Sequence, residues 1–426
     1  MIPRLRIPPQ ATALMTRPFI AAVLLLGPVL GAEASIIMIL GAFLGLFQYL
    51  NGNFPITESR PQRLIFKFIL TWFATETSFG LLHFNGMPTV LEIAENLPFL
   101  GYIILVSGME HSSKLDLRRV IHLVSPYAAF VALAVAIVQI QIGPRRAEGA
   151  AGNAGPFAAL CLIVFGCCLL TAIETKGRSR LLGTAGAGAA AACVMLSGMR
   201  GLWPALAIVP AALAIVYWRA VKQDFKRVLI GAAITLLAVF FLSQATIEKR
   251  ISLVVSDLEQ TQTAGGRPSS LQQHLLIWRA GWSLLSEAPM SGHGLGRNRE
   301  LMAARTSEIG GVRLHYSHFH NAILTQGVQS GIIGILALTA MFLAPLWLAV
   351  RQPRDEFGKH GFSVILIAAV VYTISGVTGI MFGHDLMDMG WIAAMSYGSF
   401  QVFGQGAVHN PAGDHFGDQP AGPSAR

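Results

Sequence analysis

Charge is what this chain has least of. Of its 426 residues only 12% are Asp, Glu, Lys or Arg, against 53% hydrophobic, whereas a soluble domain carries about 25% charged residues. A water-soluble chain of this length would divide into more than one domain. The scarcity of charge excludes that reading, because the apolar residues come in long blocks rather than amphipathic stripes. A helix needs about 20 mostly apolar residues to cross the hydrocarbon core. Cysteine is scarce too: Cys161, Cys167, Cys168 and Cys193 all fall inside apolar blocks. Neither a disulfide framework nor a metal knuckle is expected of them, and they read as small core hydrophobes. No A-x-A-like site follows the first apolar stretch, so no cleaved signal peptide is expected.

What is present is a series of apolar blocks at 18–32, 34–50, 64–83, 89–109, 120–142, 155–174, 180–198, 201–218, 226–243, 321–350, 361–383 and 387–404. They predict an all-α polytopic membrane protein of about 12 transmembrane helices, the first two short enough to form a re-entrant pair. The net charge of +9 does not point to nucleic acid, because its distribution alternates. Arg4, Arg6 and Arg17, then Arg60 and Arg63, Lys114, Arg118 and Arg119, Lys176, Arg178 and Arg180, Arg219, Lys222, Lys226 and Arg227, and Arg351, Arg354 and Lys359 share one face. The short opposite connections carry only Arg145, Arg146 and Arg200. The positive-inside rule makes the richer face cytoplasmic, with both termini on it.

One connection breaks the pattern. Residues 244–320 form a long extracytoplasmic loop, and loops of that length are usually functional or disordered. Ser270 to Ala288 reads as a helix, with Leu271, Leu275, Trp278, Trp282 and Leu285 near helical spacing and Pro289 beyond it. The expected organisation is a bundle over 1–243, a folded periplasmic cap over 244–320, further membrane helices over 321–404, and a disordered cytoplasmic tail over 405–426.

The loop holds Lys249, Arg250, Arg267, Arg279, Arg297, Arg299, Arg305 and Arg313 against six acids. A basic excess on this side suits an anionic substrate, since a guanidinium grips phosphate oxygens in a fork; it equally suits arginines facing lipid headgroups. Arg200 lies in a tight connection between apolar blocks, where a charge must snorkel, pair or face a polar cavity; Arg145 and Arg146 repeat that situation. The densest feature is His315-Tyr-Ser-His318-Phe-His320-Asn321 at the start of a span. A neutral imidazole can take a proton near physiological pH, which suits a general base acting on a hydroxyl. His318-x-His320 would serve a metal only with further ligands that spacing does not reveal. No D-x-D motif occurs, so the usual metal clamp for nucleotide-sugar donors is missing. Asp385 and Asp388 are the acidic runners-up and equally suit capping of the last helix. Glu76, Glu92 and Glu95, within apolar blocks, keep a transporter in view.

At these residues the chain resembles the O-antigen ligase and polymerase superfamily. His320-Asn321, then nine residues to Gly331-x-x-Gly334, is similar to the ligase signature. Arg267 (or Arg279), Trp278, Pro289 and glycines 292, 294 and 296 resemble the arginine–tryptophan–proline–glycine series, and Arg200 the arginine at an extracytoplasmic helix end. The resemblance implies a C-type, integral-membrane glycosyltransferase of the Gram-negative inner membrane. It would move polysaccharide from undecaprenyl diphosphate to a lipid A-core sugar hydroxyl at the periplasmic leaflet, inverting and without metal or cofactor. His320 would be the base; Arg200, Arg267, Arg145 and Arg146 would hold the diphosphate. His318, Asn321, Arg297 and Arg279 are secondary candidates. A polymerase or a protein O-oligosaccharyltransferase using the same donor is the nearest rival.

Overall fold

The computed structural model describes residues 16–52, 55–143, 146–223, 270–352 and 355–406. Among them the protein is all-helical, and eight helices are long and apolar enough to cross a membrane. It is a multi-pass membrane protein. The block 226–243, Arg145, Arg267 and the tail lie outside the described residues, so the expected count of about 12 is not settled by counting.

The described residues begin with a short apolar helix, Thr16–Leu25, ending in a π-helical turn. Then follow α1 (Ala32–Leu50), α2 (Arg60–Leu82), α3 (Met87–Asn96), a 3₁₀ turn at Leu97–Gly101 and α4 (Tyr102–Met109). The block expected as one span at 89–109 is one candidate span over Met87–Met109, with a 3₁₀ turn where Pro98 stands. Next come α5 (Lys114–Ile142), α6 (Ala154–Glu174), α7 (Gly177–Leu196), α8 (Ala205–Val216) and α9 (Trp218–Gln223). The cap contributes α10 (Ser270–Glu287) and α11 (Asn298–Gly310); α12 (Ala322–Val350), α13 (Glu356–Thr378) and α14 (Asp385–Phe403) complete the bundle.

Packing follows residue size. The run Gly183-Thr-Ala-Gly186-Ala-Gly-Ala lets α7 approach α6 and α5 closely. A Cβ on Gly183 would sit 2.7 Å from the Ala172 nitrogen, and one on Gly186 2.7 Å from the Pro126 Cα. Buried deepest is α14, where Trp391, Tyr397 and Phe400 are wholly inaccessible.

The end of the bundle where α5 and α13 begin is tied by one carboxylate. Glu174 Oε2 accepts from Arg118 Nε at 3.0 Å, His122 Nε2 at 3.1 Å and His360 Nδ1 at 2.8 Å, and the Tyr217 hydroxyl donates to its other oxygen. Tyr397 donates to His360 Nε2 at 2.8 Å. At the opposite end Asn321 Nδ2 donates to the Val377 carbonyl at 3.4 Å, and Gly201 lies against Thr378. His360 and Val377 stand about 25 Å apart along α13, at 1.5 Å per residue. That is close to the thickness of the hydrocarbon core.

Candidate active site

The site is built on the first turn of α12. Asn321 caps this helix, its side chain accepting from Leu324 N at 2.9 Å, as asparagine does well at that position. His320 stands just before the cap with φ +49°, the one positive φ outside glycine among the described residues. Such backbone costs free energy and persists where its surroundings over-determine it. Two things impose it here. Phe319 is fully buried in the cap core with Ile277, Leu284, Met302, Leu314, Leu324 and Val328, which leaves the flanking, half-buried His318 and His320 outside that core. Trp278 Nε1 also donates to the His320 carbonyl at 3.4 Å.

Four rings gather there. The His320 centroid lies 4.5 Å from His318, 4.8 Å from His274 and 4.9 Å from Tyr316. Burial pushes His320 down to about 4, helped by the charge His274 would carry. Burial first, then the charges of His320, His274 and His384, pushes His318 down to about 3. Both rings are therefore neutral at pH 7 and can accept a proton. His274 and Trp278 were not singled out for this role from sequence; their four-residue spacing on α10, which puts them on one helix face, was the available signal.

The proline and glycines are explained by a break in α12. Helical geometry is lost at Ser330 (φ −139°) and Gly331 (φ +63°), where sequence predicted one continuous span. The cap loop docks into this gap: Ile332 N donates to Pro289 O at 2.8 Å, His293 N to Val328 O at 2.7 Å and Gly294 N to Gln329 O at 2.9 Å. A Cβ on Gly331 would come within 2.3 Å of the Met290 carbonyl carbon, and one on Gly292 within 2.5 Å of Ser330 N. Close approach at Gly331 is thus made by the cap loop at Pro289 and Met290.

The predicted arginines divide. Arg200, half-buried, opens a 3₁₀ turn (Arg200–Leu202) packed on the end of α13, the end that also holds Asn321. Arg146 is exposed and pairs with Glu148 at 3.4 Å; its turn is joined to the end of α7 by Ala147 N donating to Leu196 O at 3.1 Å. These two turns and His320 therefore come to one end of the bundle. Arg297 is half-buried, with Nε lacking a described hydrogen-bond partner, and Arg279 is exposed. Arg305 is a cap strut: it pairs with Glu287 at 2.5 Å and with Glu308 at 3.3 Å.

The acidic runners-up serve the start of α14. Asp388, nearly inaccessible, accepts from Gly383 N at 3.1 Å; Asp385 pairs with His384 at 3.0 Å and accepts from Ser35 at 3.2 Å. Among the described residues, the group of His, Cys, Asp and Glu side chains whose ligand atoms lie within 4.8 Å of one another is His122, Glu174 and His360. Arg118 already occupies that carboxylate, and the cluster stands at the end away from His320.

Residues 185–339, which include Arg200, the described cap and His320, match the family described as O-antigen ligase. The chain is also 24% identical over 331 residues to an uncharacterised protein of Haemophilus influenzae, covering 75% of this chain and 80% of that one. The match supports a glycosyl-transfer function of ligase or polymerase type, on polysaccharide and lipid-linked substrates. The chain thus carries a domain of the O-antigen ligase family.

Proposed function

We propose that this protein is an O-antigen ligase of the Gram-negative inner membrane, with its site on the periplasmic side. It transfers polysaccharide from undecaprenyl diphosphate to a sugar hydroxyl of the lipid A core. The observation that carries this reading is the neutral, conformationally constrained His320 within a segment matching the family, at the bundle end shared with Arg200.

In the reaction the acceptor oxygen attacks the anomeric carbon from the face opposite the diphosphate. The carbon–oxygen bond to phosphate breaks, the hydroxyl proton passes to the His320 imidazole, and undecaprenyl diphosphate leaves with inverted configuration at carbon. Charge gathers on the leaving oxygens, and fixed cationic donors stabilise it. Arg200 is assigned that task, with Arg267 (or Arg279) of the loop and Arg145 or Arg146 assisting; His318, Asn321 and Arg297 are the secondary candidates. A histidine held near 4 is a modest base, so the proton moves as the attack proceeds rather than before it.

The test is incubation of the purified protein with undecaprenyl-diphosphate-linked glycan and rough lipopolysaccharide, with and without EDTA. Glycan joined to lipopolysaccharide in both arms is expected. Glycan lengthening that needs no lipopolysaccharide would make the protein a polymerase instead, and loss of transfer in EDTA would overturn the metal-free reading.

A further inference from the structure

We propose that Glu76 and Glu92 are positioning residues: together they hold α12 broken at Ser330–Gly331 and so fix the half-helix that presents His320. The proposal rests on the catalytic reading of His320 above.

Both acids lie within apolar helices, Glu76 on α2 and Glu92 on α3, where a carboxyl needs a reason to persist. Each meets donors that converge from the break. Gln326 Nε2 and Ser330 Oγ donate to Glu76 Oε1 at 2.6 and 2.5 Å. The Gln326 amide is not free to turn over, because Trp72 Nε1 donates to its Oε1 at 3.3 Å, so its Nε2 must face the acid. Gln329 Nε2 and the backbone Gly296 N donate to Glu92 Oε2 at 3.1 and 2.8 Å. Thus Glu92 joins three bodies at one atom: its own helix, the end of the half-helix Ala322–Gln329, and the glycine loop of the cap. Glu76, only 2% exposed, holds the same half-helix from the bundle side.

A break in a membrane helix frees backbone groups that lipid cannot satisfy, and it is tolerated only where protein re-satisfies them. Here the loop 289–294 takes the freed carbonyls and Ile332 N, and the two acids fix the side chains of Gln326, Gln329 and Ser330 on the N-terminal side of the gap. Without an acceptor at position 92, the part-buried Gln329 Nε2 and Gly296 N lose their partner. Without one at position 76, Gln326 Nε2 and Ser330 Oγ keep only each other at 2.6 Å and the Gln326 carbonyl at 3.3 Å, which no longer ties the half-helix to α2. Their cheapest relief is movement of the half-helix or the loop. His320 sits at the far end of that half-helix, one residue beyond its cap, so the movement carries the histidine with it.

A rival role is proton carriage, as intramembrane acids perform in transporters. Glutamine separates the two. It keeps a carbonyl oxygen that accepts from the same donors but cannot carry a proton.

The experiment uses the full chain in lipid nanodiscs, with E76Q, E76D, E76L, E92Q, E92D and E92L beside the wild type. Transfer from undecaprenyl-diphosphate-linked glycan to rough lipopolysaccharide gives kcat and KM, and deuterium uptake of residues 289–296 is read in the same samples. The leucine variants are expected to lose on the order of 10²-fold in kcat, the cost of a misplacement of about 1 Å at a reacting group. KM for the donor should stay within about threefold, and uptake at 289–296 should rise. The aspartate variants keep a carboxyl but draw it back, and should lose kcat in the same direction even if a leucine variant does not fold. The glutamine variants should match the wild type in both readouts. Unchanged kcat and uptake in the leucine and aspartate variants would overturn the clamp, and so would glutamine variants as inactive as leucine. If the wild type transferred nothing, the proposed function would fail by itself, and the uptake comparison alone would decide the clamp.

Discussion

His320 carries the functional reading, and its surroundings set its pH dependence. Burial and the neighbouring His274 hold it at about 4, below the ordinary value of about 6.5. The neutral form therefore survives to about pH 4 in the free protein, and kcat/KM should show its acid limb there rather than near 6.5. A bound diphosphate adds negative charge, which favours imidazolium and raises the pKa. The acid limb of kcat, which reports the complex, should consequently lie at higher pH than that of kcat/KM. Coincident limbs at 6.5 would remove His320 as the titrating base. The same shift has a stability consequence. The folded-state pKa lies below the unfolded one, so stability is full above about pH 6.5 and is lost as pH falls toward 4. Protection factors in 270–320, corrected for the pH dependence of intrinsic exchange, should fall between pH 7 and pH 5. At the same scale, His320→Gln should be nearly inactive while still binding undecaprenyl diphosphate. Arg200→Ala should lose on the order of 10²-fold in rate, and Arg200→Lys should recover only part, since a point charge does not reproduce the fork. Decorated lipopolysaccharide at wild-type level in cells expressing either variant would sink the corresponding role. The histidine run and Asn321 were visible in sequence because they are contiguous. The positive φ of His320 and the approach of His274 were not, because both arise from Phe319 being drawn into a core assembled from three separated segments.

At the scale of elements, the broken α12 explains more motif residues than any other feature. Gly331 is required twice over: its φ is +63°, and a Cβ there would meet the Met290 carbonyl carbon at 2.3 Å. Gly311, at φ +66° with nothing within 4 Å of a Cβ, bears the conformational requirement alone. Gly311→Ala should therefore cost about 1–2 kcal/mol, the left-handed penalty, measured by chemical unfolding of the cap. Gly331→Ala should cost more, release residues 289–296 to exchange, and abolish transfer while α5–α7 stay intact; equal effects would refute the docking argument. Phe319→Ala removes the ring that orients His320 and should destabilise the cap by about 3–5 kcal/mol. Sequence predicted α10 within a residue of its observed end, because apolar periodicity and Pro289 delimit it. It did not predict α11 (Asn298–Gly310), whose apolar residues lack a clear stripe, nor the break in α12. Ala322–Val350 reads as one apolar span despite Gln326, Gln329 and Ser330, and the interruption depends on partners in the distant α2, α3 and cap.

At the scale of the molecule, the fold turns the charge alternation into a prediction about sides. Arg118, Glu174 and His360 tie one end of the bundle; Arg200, Asn321 and the cap gather at the other, about 25 Å away along α13. The arginine-rich connections, including Lys114–Arg119 and Lys176–Arg180, belong with the first end. If the positive-inside rule governs this chain, the Glu174 end is cytoplasmic and His320 is periplasmic, where a finished lipid-linked polysaccharide would be found. The native cysteines are all buried, so small replacements at 161, 167, 168 and 193 should leave a silent background. In that background, Ser286→Cys on the exposed face of the cap should react with an impermeant maleimide added to intact spheroplasts. Lys222→Cys, exposed on α9, should react only after the membrane is opened. Labelling of position 222 from outside with position 286 protected would invert every assignment of sides. Arg200 and His320 would then face the cytoplasm, away from a periplasmic acceptor, and the ligase reading would fall with the topology.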